Sequence, residues 1–179
     1  VAYSVIIKKG ELIKEEPIKR PYVIKPLSQG SSIGVEVISS GDKFNLKDYK
    51  FPYGDIIVEE YIQGREIQVA LLNGKAMGTI ELKLPNNKLF FDYEAKYTEG
   101  LTKHICPAEI NEQTINEIFM LSEKANRAVG AIGLVRAEIL YEESSGKLYF
   151  LELNTHPGMS SNSICPEIAY KIHNITFTQ

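Results

Sequence analysis

The chain has 179 residues, 44% of them hydrophobic and 24% charged. That is globular composition, with enough length to bury a core without disulfide or metal staples. Twenty basic against 23 acidic side chains leave a net charge of −3, which argues against a general nucleic-acid binder, because such proteins need a net basic face to displace counterions.

The first residues, Val1 to Lys9, lack the basic region, apolar run and cleavage site of a signal peptide. They also lack a starting Met, so a piece of a longer chain is expected. No apolar run approaches the ~20 residues that cross a bilayer. Tyr22 to Pro26 reads as a buried strand and Val35 to Ile38 as its partner, with the small, polar run Leu27 to Gly34 as the loop between them. Lys43 to Lys50 is expected as a short helix, and Asp55 to Ile62 as a strand broken at Gly64. Glu66 to Leu72 and Ala76 to Leu82 form a hairpin about Asn73-Gly74, the commonest two-residue turn signal.

Pro85 to Lys103 is polar and irregular with interleaved aromatics. Asn111 to Val129 carries Ile115, Ile118, Phe119, Leu121, Ala125 and Val129 at mostly helical spacing. Strands follow at Leu134 to Tyr141 and Lys147 to Leu153. A last helix is expected from Pro166 to His173. Antiparallel hairpins with interspersed helices favour α+β over a doubly wound parallel sheet.

Cys106 and Cys165 are the only cysteines and show no CxxC spacing, which fits a reduced cytosolic setting and small packing roles. His104, His156 and His173 are scattered, without an HExxH pattern.

The strongest local signal lies between Arg136 and Asn154. A turn centred near Ser145 sets Glu138 opposite Glu152 and Arg136 opposite Asn154. Side chains alternate along a strand, so these four share one face, while Val135, Ala137, Ile139, Leu151 and Leu153 share the other. Two carboxylates directly opposed on a sheet are unfavourable unless something offsets them. A hard divalent cation with oxygen ligands, Mg²⁺ or Mn²⁺, does so; a solvated Arg–Glu pair is the plainer alternative. The run Asn154 to Ser163 is too polar for a core and offers N–H groups and hydroxyls for an anion. Lys25 precedes Gln29-Gly30-Ser31-Ser32-Ile33-Gly34, which can clamp phosphates although it is neither a Walker A loop nor a GxGxxG fingerprint.

These runs together resemble the ATP-grasp ligases, most closely the D-alanine–D-alanine ligases. The matching segments are Val23 to Pro26 with Gly30 to Gly34, Val58 to Ile62 with Gly64 and Glu66, Phe91-Asp92-Tyr93-Glu94-Ala95-Lys96-Tyr97, Cys106-Pro107-Ala108, Arg136-Ala137-Glu138, and Glu152 to Met159 with Ser163. The resemblance covers nearly the whole chain in order. It implies an α+β ATP-grasp fold with a partial central subdomain, residues 1–60, and a C-terminal subdomain, residues 61–179, whose lid is about 84–104.

The implied reaction is ATP-dependent joining of two D-alanines through a D-alanyl phosphate, in cytoplasmic supply of cell-wall precursors. The implied partners are D-alanine and ATP, with a homodimer at full length and no nucleic acid or membrane. By the same resemblance Glu138, Glu152 and Asn154 hold two Mg²⁺ or Mn²⁺ ions. Arg136 and the backbone N–H of Gly158 stabilise the oxyanion. Lys25 and Lys96 contact the phosphates. Glu59, Glu60, Tyr61 and Ile62 meet the adenosine, and Glu66 the ribose. Ser163 and Lys96 hold the second substrate's carboxylate, and Ser31 and Tyr97 close the site.

Tyr97, where ester-forming relatives tend to carry phenylalanine, leans toward the dipeptide. Departures from the family pattern are Glu138 in place of the commoner Asp, Gln29 in place of Glu, and Phe91 in place of Tyr. The family's N-terminal domain is absent from these 179 residues, so no ligase activity is expected of them alone. The alternatives are another ATP-grasp carboxylate–amine ligase and a non-catalytic nucleotide-binding module.

Overall fold

The computed structural model describes residues 1–30, 32–83 and 102–176. The chain divides into two compact units, one containing Ala2–Ile62 and the other Gln63–Lys83 with Lys103–Gln179.

The first unit is a four-stranded sheet in the order β1-β4-β2-β3, formed by β1 (Ser4–Ile7), β2 (Tyr22–Pro26), β3 (Glu36–Ile38) and β4 (Ile56–Glu60). Its ladders are all antiparallel. Tyr22, Ile24, Ile38, Ile56 and Val58 alternate onto one face and build the core with Leu46 and Phe51. Burying each such side chain contributes roughly 1.5–3 kcal/mol. Val23 and Lys25 of β2 and Ile57 and Glu59 of β4 therefore fall on the opposite face.

Two expectations change here. The helix over Lys43 to Lys50 is only a single 3-10 turn, Leu46–Asp48, started by Asn45, whose side chain accepts from the Lys47 N–H. One turn suffices because a single buried residue, Leu46, anchors it, whereas a longer helix would need a whole apolar stripe. Strand β1 was not among the expected elements, because a short exposed edge strand carries little alternation to read.

The second unit is a five-stranded antiparallel sheet in the order β7-β6-β5-β8-β9. Its strands are β5 (Arg65–Leu72), β6 (Lys75–Lys83), β7 (Lys103–Ile105), β8 (Leu134–Glu142) and β9 (Lys147–Asn154). Asn73 and Gly74 both take positive φ, 49° and 79°, the geometry a two-residue hairpin turn demands.

Helix α1 (Glu112–Val129) starts where the Asn111 side chain accepts the Thr114 N–H at 2.9 Å and stops at Gly130, whose φ is 66°. Its Ile115, Ile118, Phe119 and Leu121 pack on Ile67, Val69, Leu71, Val135, Ala137 and Ile139. Helix α2 (Ile164–His173) lies on the other face, where a Cβ on Gly78 would stand 2.3 Å from Ile172 and 3.0 Å from Ile168. Glycine is needed there for the close approach of helix and sheet. Among the described residues no helix is long and apolar enough to cross a membrane.

Candidate functional site

The β8–β9 hairpin pairs Arg136 with Asn154 and Glu138 with Glu152, as the turn arithmetic requires. The register is reached by an unforeseen route. Near the turn Glu142 pairs with Lys147 and Ile139 with Phe150, and a bulge between Glu138 and Ile139 then shifts the ladder by one residue. The bulge has a second effect. Phe150 and Leu148 join the core face, in the place expected of Leu151, while Leu153 stays there.

At the site Arg136 Nη2 donates to Glu138 Oε1 at 2.6 Å. Asn154 Nδ2 donates to the same oxygen at 2.9 Å and to Glu152 Oε1 at 3.0 Å. The guanidinium and the carboxamide thus sit where two opposed carboxylates would otherwise repel. Glu138 is buried and Glu152 exposed, so one carboxylate is fixed in the sheet and the other faces solvent. Among the described residues no group of three or more His, Cys, Asp or Glu side chains gathers. The donor set for a cation is two carboxylates plus the carboxamide.

That set fits a hard divalent ion. A half-turn of the Asn154 amide exchanges Nδ2 for Oδ1 and presents a third oxygen beside the two carboxylates. Arg136 Nε is buried without a hydrogen-bond partner, so the guanidinium is not fully committed to Glu138.

The segment after β9 leads into α2. Ser163 stands at the helix N-cap, yet its side chain makes no capping bond. Instead Ser163 Oγ accepts the Ser160 N–H at 3.0 Å and lies 2.9 Å from Ser160 Oγ. The first-turn N–H groups of α2 therefore receive nothing from their own cap, and such a terminus favours an anion. Gly158 lies against this hydroxyl, since a Cβ there would stand 3.0 Å from Ser163 Oγ. Gly158 and Ser163 are thus brought together. Cys165, the second residue of α2, is buried, which pushes its thiol up to about 11 despite the opposing charge of Arg136. It is a packing residue, not a nucleophile.

Glu66 and Gln68 share the sheet face of Arg136 and Glu138, Gln68 being opposite Glu138. Gln68 Nε2 donates to Glu66 Oε1 at 3.0 Å. Gln68 was not among the expected site residues. It is a polar residue between Ile67 and Val69, and alternation alone reads it as solvent-facing, whereas it is wholly buried.

In the first unit Lys25 Nζ meets Glu59 Oε1 at 3.1 Å, joining an expected phosphate contact to an expected adenosine contact. The Glu60 N–H donates to the Tyr3 carbonyl at 2.9 Å and the Tyr61 N–H to the Pro21 carbonyl at 3.3 Å. Ile62 is buried, and burial raises the pKa of the Tyr61 hydroxyl. Ser31, Lys96 and Tyr97, like most of the expected lid, lie outside the described residues.

Solved structures share the fold. A D-alanine–D-alanine ligase from Bacillus anthracis complexed with ATP matches 99% of the chain and 56% of its own length, with a TM-score of 0.77 at 20% identity. The VanG D-Ala:D-Ser ligase of Enterococcus faecalis matches 100% of the chain and 54% of its own length, with a TM-score of 0.79 at 30% identity. The fold is thus α+β of the ATP-grasp type.

Sequence comparison narrows the class. The family model for the D-ala D-ala ligase C-terminus matches residues 7–179, and the chain belongs to that family. It is 56% identical over 170 residues to a D-alanine–D-alanine ligase of Rickettsia massiliae, covering 94% of the chain and 53% of the relative. It is 54% identical over 178 residues to one from Rickettsia bellii, covering 99% and 55%. The chain spans about half the length of these curated relatives.

Proposed function

We propose that the protein containing this chain ligates two D-alanines at the expense of ATP, through a D-alanyl phosphate, in the supply of peptidoglycan precursors. The observation that carries the reading is the meeting of Arg136, Glu138, Glu152 and Asn154 on one sheet face within hydrogen-bond distance.

Phosphoryl transfer needs positioning and charge neutralisation more than covalent help. Glu138, Glu152 and Asn154 would hold two Mg²⁺ or Mn²⁺ ions, which when bound neutralise charge on the phosphates. Arg136 would donate to the oxyanion of the attacked carbonyl once Glu138 is otherwise engaged. The Gly158 N–H is the second donor. Loss of one such donor typically costs ~10²–10³ in turnover. Ser163 and the uncapped start of α2 suit the carboxylate of the second amino acid, with Lys96 as its charged partner. Lys25 and Lys96 serve the phosphates, and Glu59, Glu60, Tyr61, Ile62 and Glu66 the nucleoside. Ser31 and Tyr97 complete the closed site.

A D-alanine-dependent release of ADP by the full-length protein, abolished by removal of divalent cations, is the expected result. The structural likeness to a D-Ala:D-Ser ligase favours one second reading, in which the second substrate is another amino acid. ADP release that requires D-serine beside D-alanine would select it. ADP release indifferent to amino acids would overturn both.

A further inference from the structure

Two buried polar atoms without partners lie on the same face beside Glu138, and they are complementary. Gln68 Oε1 is an acceptor with no donor, and Arg136 Nε is a donor with no acceptor. Gln68 pairs with Glu138 across β5 and β8, and Arg136 stands two residues before Glu138 on β8, opposite Ala70. Gln68 and Arg136 are therefore diagonal neighbours, within reach of a long side chain. Gln68 is 0% exposed, and native structures satisfy nearly all such groups.

The Gln68 donor side is already used, because Nε2 holds Glu66 Oε1 at 3.0 Å. The Arg136 guanidinium is held at Nη2 by Glu138 Oε1 at 2.6 Å. Any cation that claims the Glu138 carboxylate weakens that bond by competing for the same oxygen and repelling the guanidinium. Arg136 must then find another acceptor on this face or lose its orientation.

We infer that Gln68 is a positioning residue that receives Arg136 in the loaded enzyme. Its Oε1 accepts from the Arg136 guanidinium when Glu138 turns to a cation, while its Nε2 keeps Glu66 in place. One carboxamide thus links the nucleotide contact to the oxyanion donor. The inference rests on the proposed ligase reading and adds a residue to it.

Gln68→Met and Gln68→Asn in the full-length protein test it. Methionine keeps the volume and removes both hydrogen bonds. Asparagine keeps an uncharged acceptor and donor on a stem one carbon shorter. Gln68→Met is expected to lower kcat about tenfold, the usual loss for an outer partner of a site residue, and to raise KM for ATP. Gln68→Asn is expected to lower kcat by about threefold and to raise KM for ATP less than Gln68→Met does, because the amide survives but reaches less far.

A readout independent of turnover is the Arg136 Nε–H signal in a ¹H–¹⁵N spectrum. It should sharpen and shift on addition of Mg²⁺ with a non-hydrolysable ATP analogue in the unmodified protein and, less fully, in Gln68→Asn, and stay broad in Gln68→Met. A Gln68→Met enzyme with unchanged kcat and an unchanged Arg136 signal, altered only in thermal stability, overturns the inference and leaves the ligase reading standing. Absence of any D-alanine-dependent turnover in the unmodified protein overturns both. If Gln68→Met does not fold, the inference stands or falls on Gln68→Asn: a kcat and an Arg136 signal identical to those of the unmodified protein would overturn it.

Discussion

The carboxylate of Glu138 and the carboxamide of Asn154, 16 residues apart in sequence, meet at 2.9 Å across the β8–β9 hairpin. Asn154 also reaches Glu152 at 3.0 Å, so one amide bridges two acids that would otherwise oppose each other directly. Asn154→Ala removes the bridge and one oxygen donor together. The variant should lose at least about tenfold in Mn²⁺ affinity in the presence of nucleotide, by analogy with the loss of an outer partner of a metal site. Asn154→Asp, which restores an oxygen, should recover part of it. Calorimetric titration of Mn²⁺ with ADP present checks both.

Arg65 makes a second buried ion pair on the opposite face of the same sheet. Its Nε and Nη2 donate to the two oxygens of Glu81 at 2.9 and 2.7 Å, and Nη1 reaches Glu143 at 3.0 Å. The Glu81 side chain is only 2% exposed. Arg65→Met leaves that carboxylate buried and unpaired, and should cost about 3–5 kcal/mol in unfolding free energy. Replacing both residues, Arg65→Met with Glu81→Leu, should recover most of the loss, because no uncompensated charge remains. Denaturant unfolding of the single and double variants decides this. A double variant as unstable as the single one would mean that packing, not charge, sets the cost.

How far these relationships could be read beforehand differs from residue to residue. The pairing of Glu138 with Glu152 was legible because turn arithmetic and alternation are both local. The bulge that lets the hairpin keep this register was not, since it depends on packing of Phe150 and Leu148 against α1. Helix α1 was legible from its apolar spacing. The run Lys43 to Lys50 misled because its polar residues suit a helix while only Leu46 is buried. Gln68 stayed hidden for the reverse reason. Polar residues in alternating strands signal solvent, whereas α2 packs on this face at Gly78 and Gln68 is wholly buried. Ser163 was found through the resemblance. Its departure from ordinary capping, with the hydroxyl turned to Ser160, required coordinates.

The contact between α2 and the sheet carries a prediction that ties packing to substrate binding. Gly78 admits no side chain without moving Ile172 or Ile168. Gly78→Ala should destabilise the protein by about 1–3 kcal/mol, the usual cost of overpacking. It should also displace the start of α2, where Ser163 stands. The expected kinetic signature is a raised KM for the second amino acid with KM for ATP nearly unchanged. Equal increases in both would indicate general loosening instead.

The last prediction concerns acid. Glu167 on α2 lies 2.6 Å from His104 Nδ1 of β7 and 2.7 Å from Lys171 Nζ. Burial pushes its carboxyl up, but the bonds to Lys171 and His104 outweigh that and leave it below its ordinary value of 4.5. A group whose pKa is depressed on folding contributes stability that is fully present above its unfolded value and lost as pH falls through the folded one. The α2–β7 contact should therefore hold from neutral pH down to about pH 4.5 and weaken progressively below it. Glu167→Gln removes the titrating group while keeping an acceptor. Its unfolding free energy should lie below that of the unmodified protein at pH 7, and the gap should close as the pH is taken below 4. Parallel thermal or denaturant melts across that range measure the gap. A difference that stays constant with pH would show that Glu167 acts through packing alone and not through its charge.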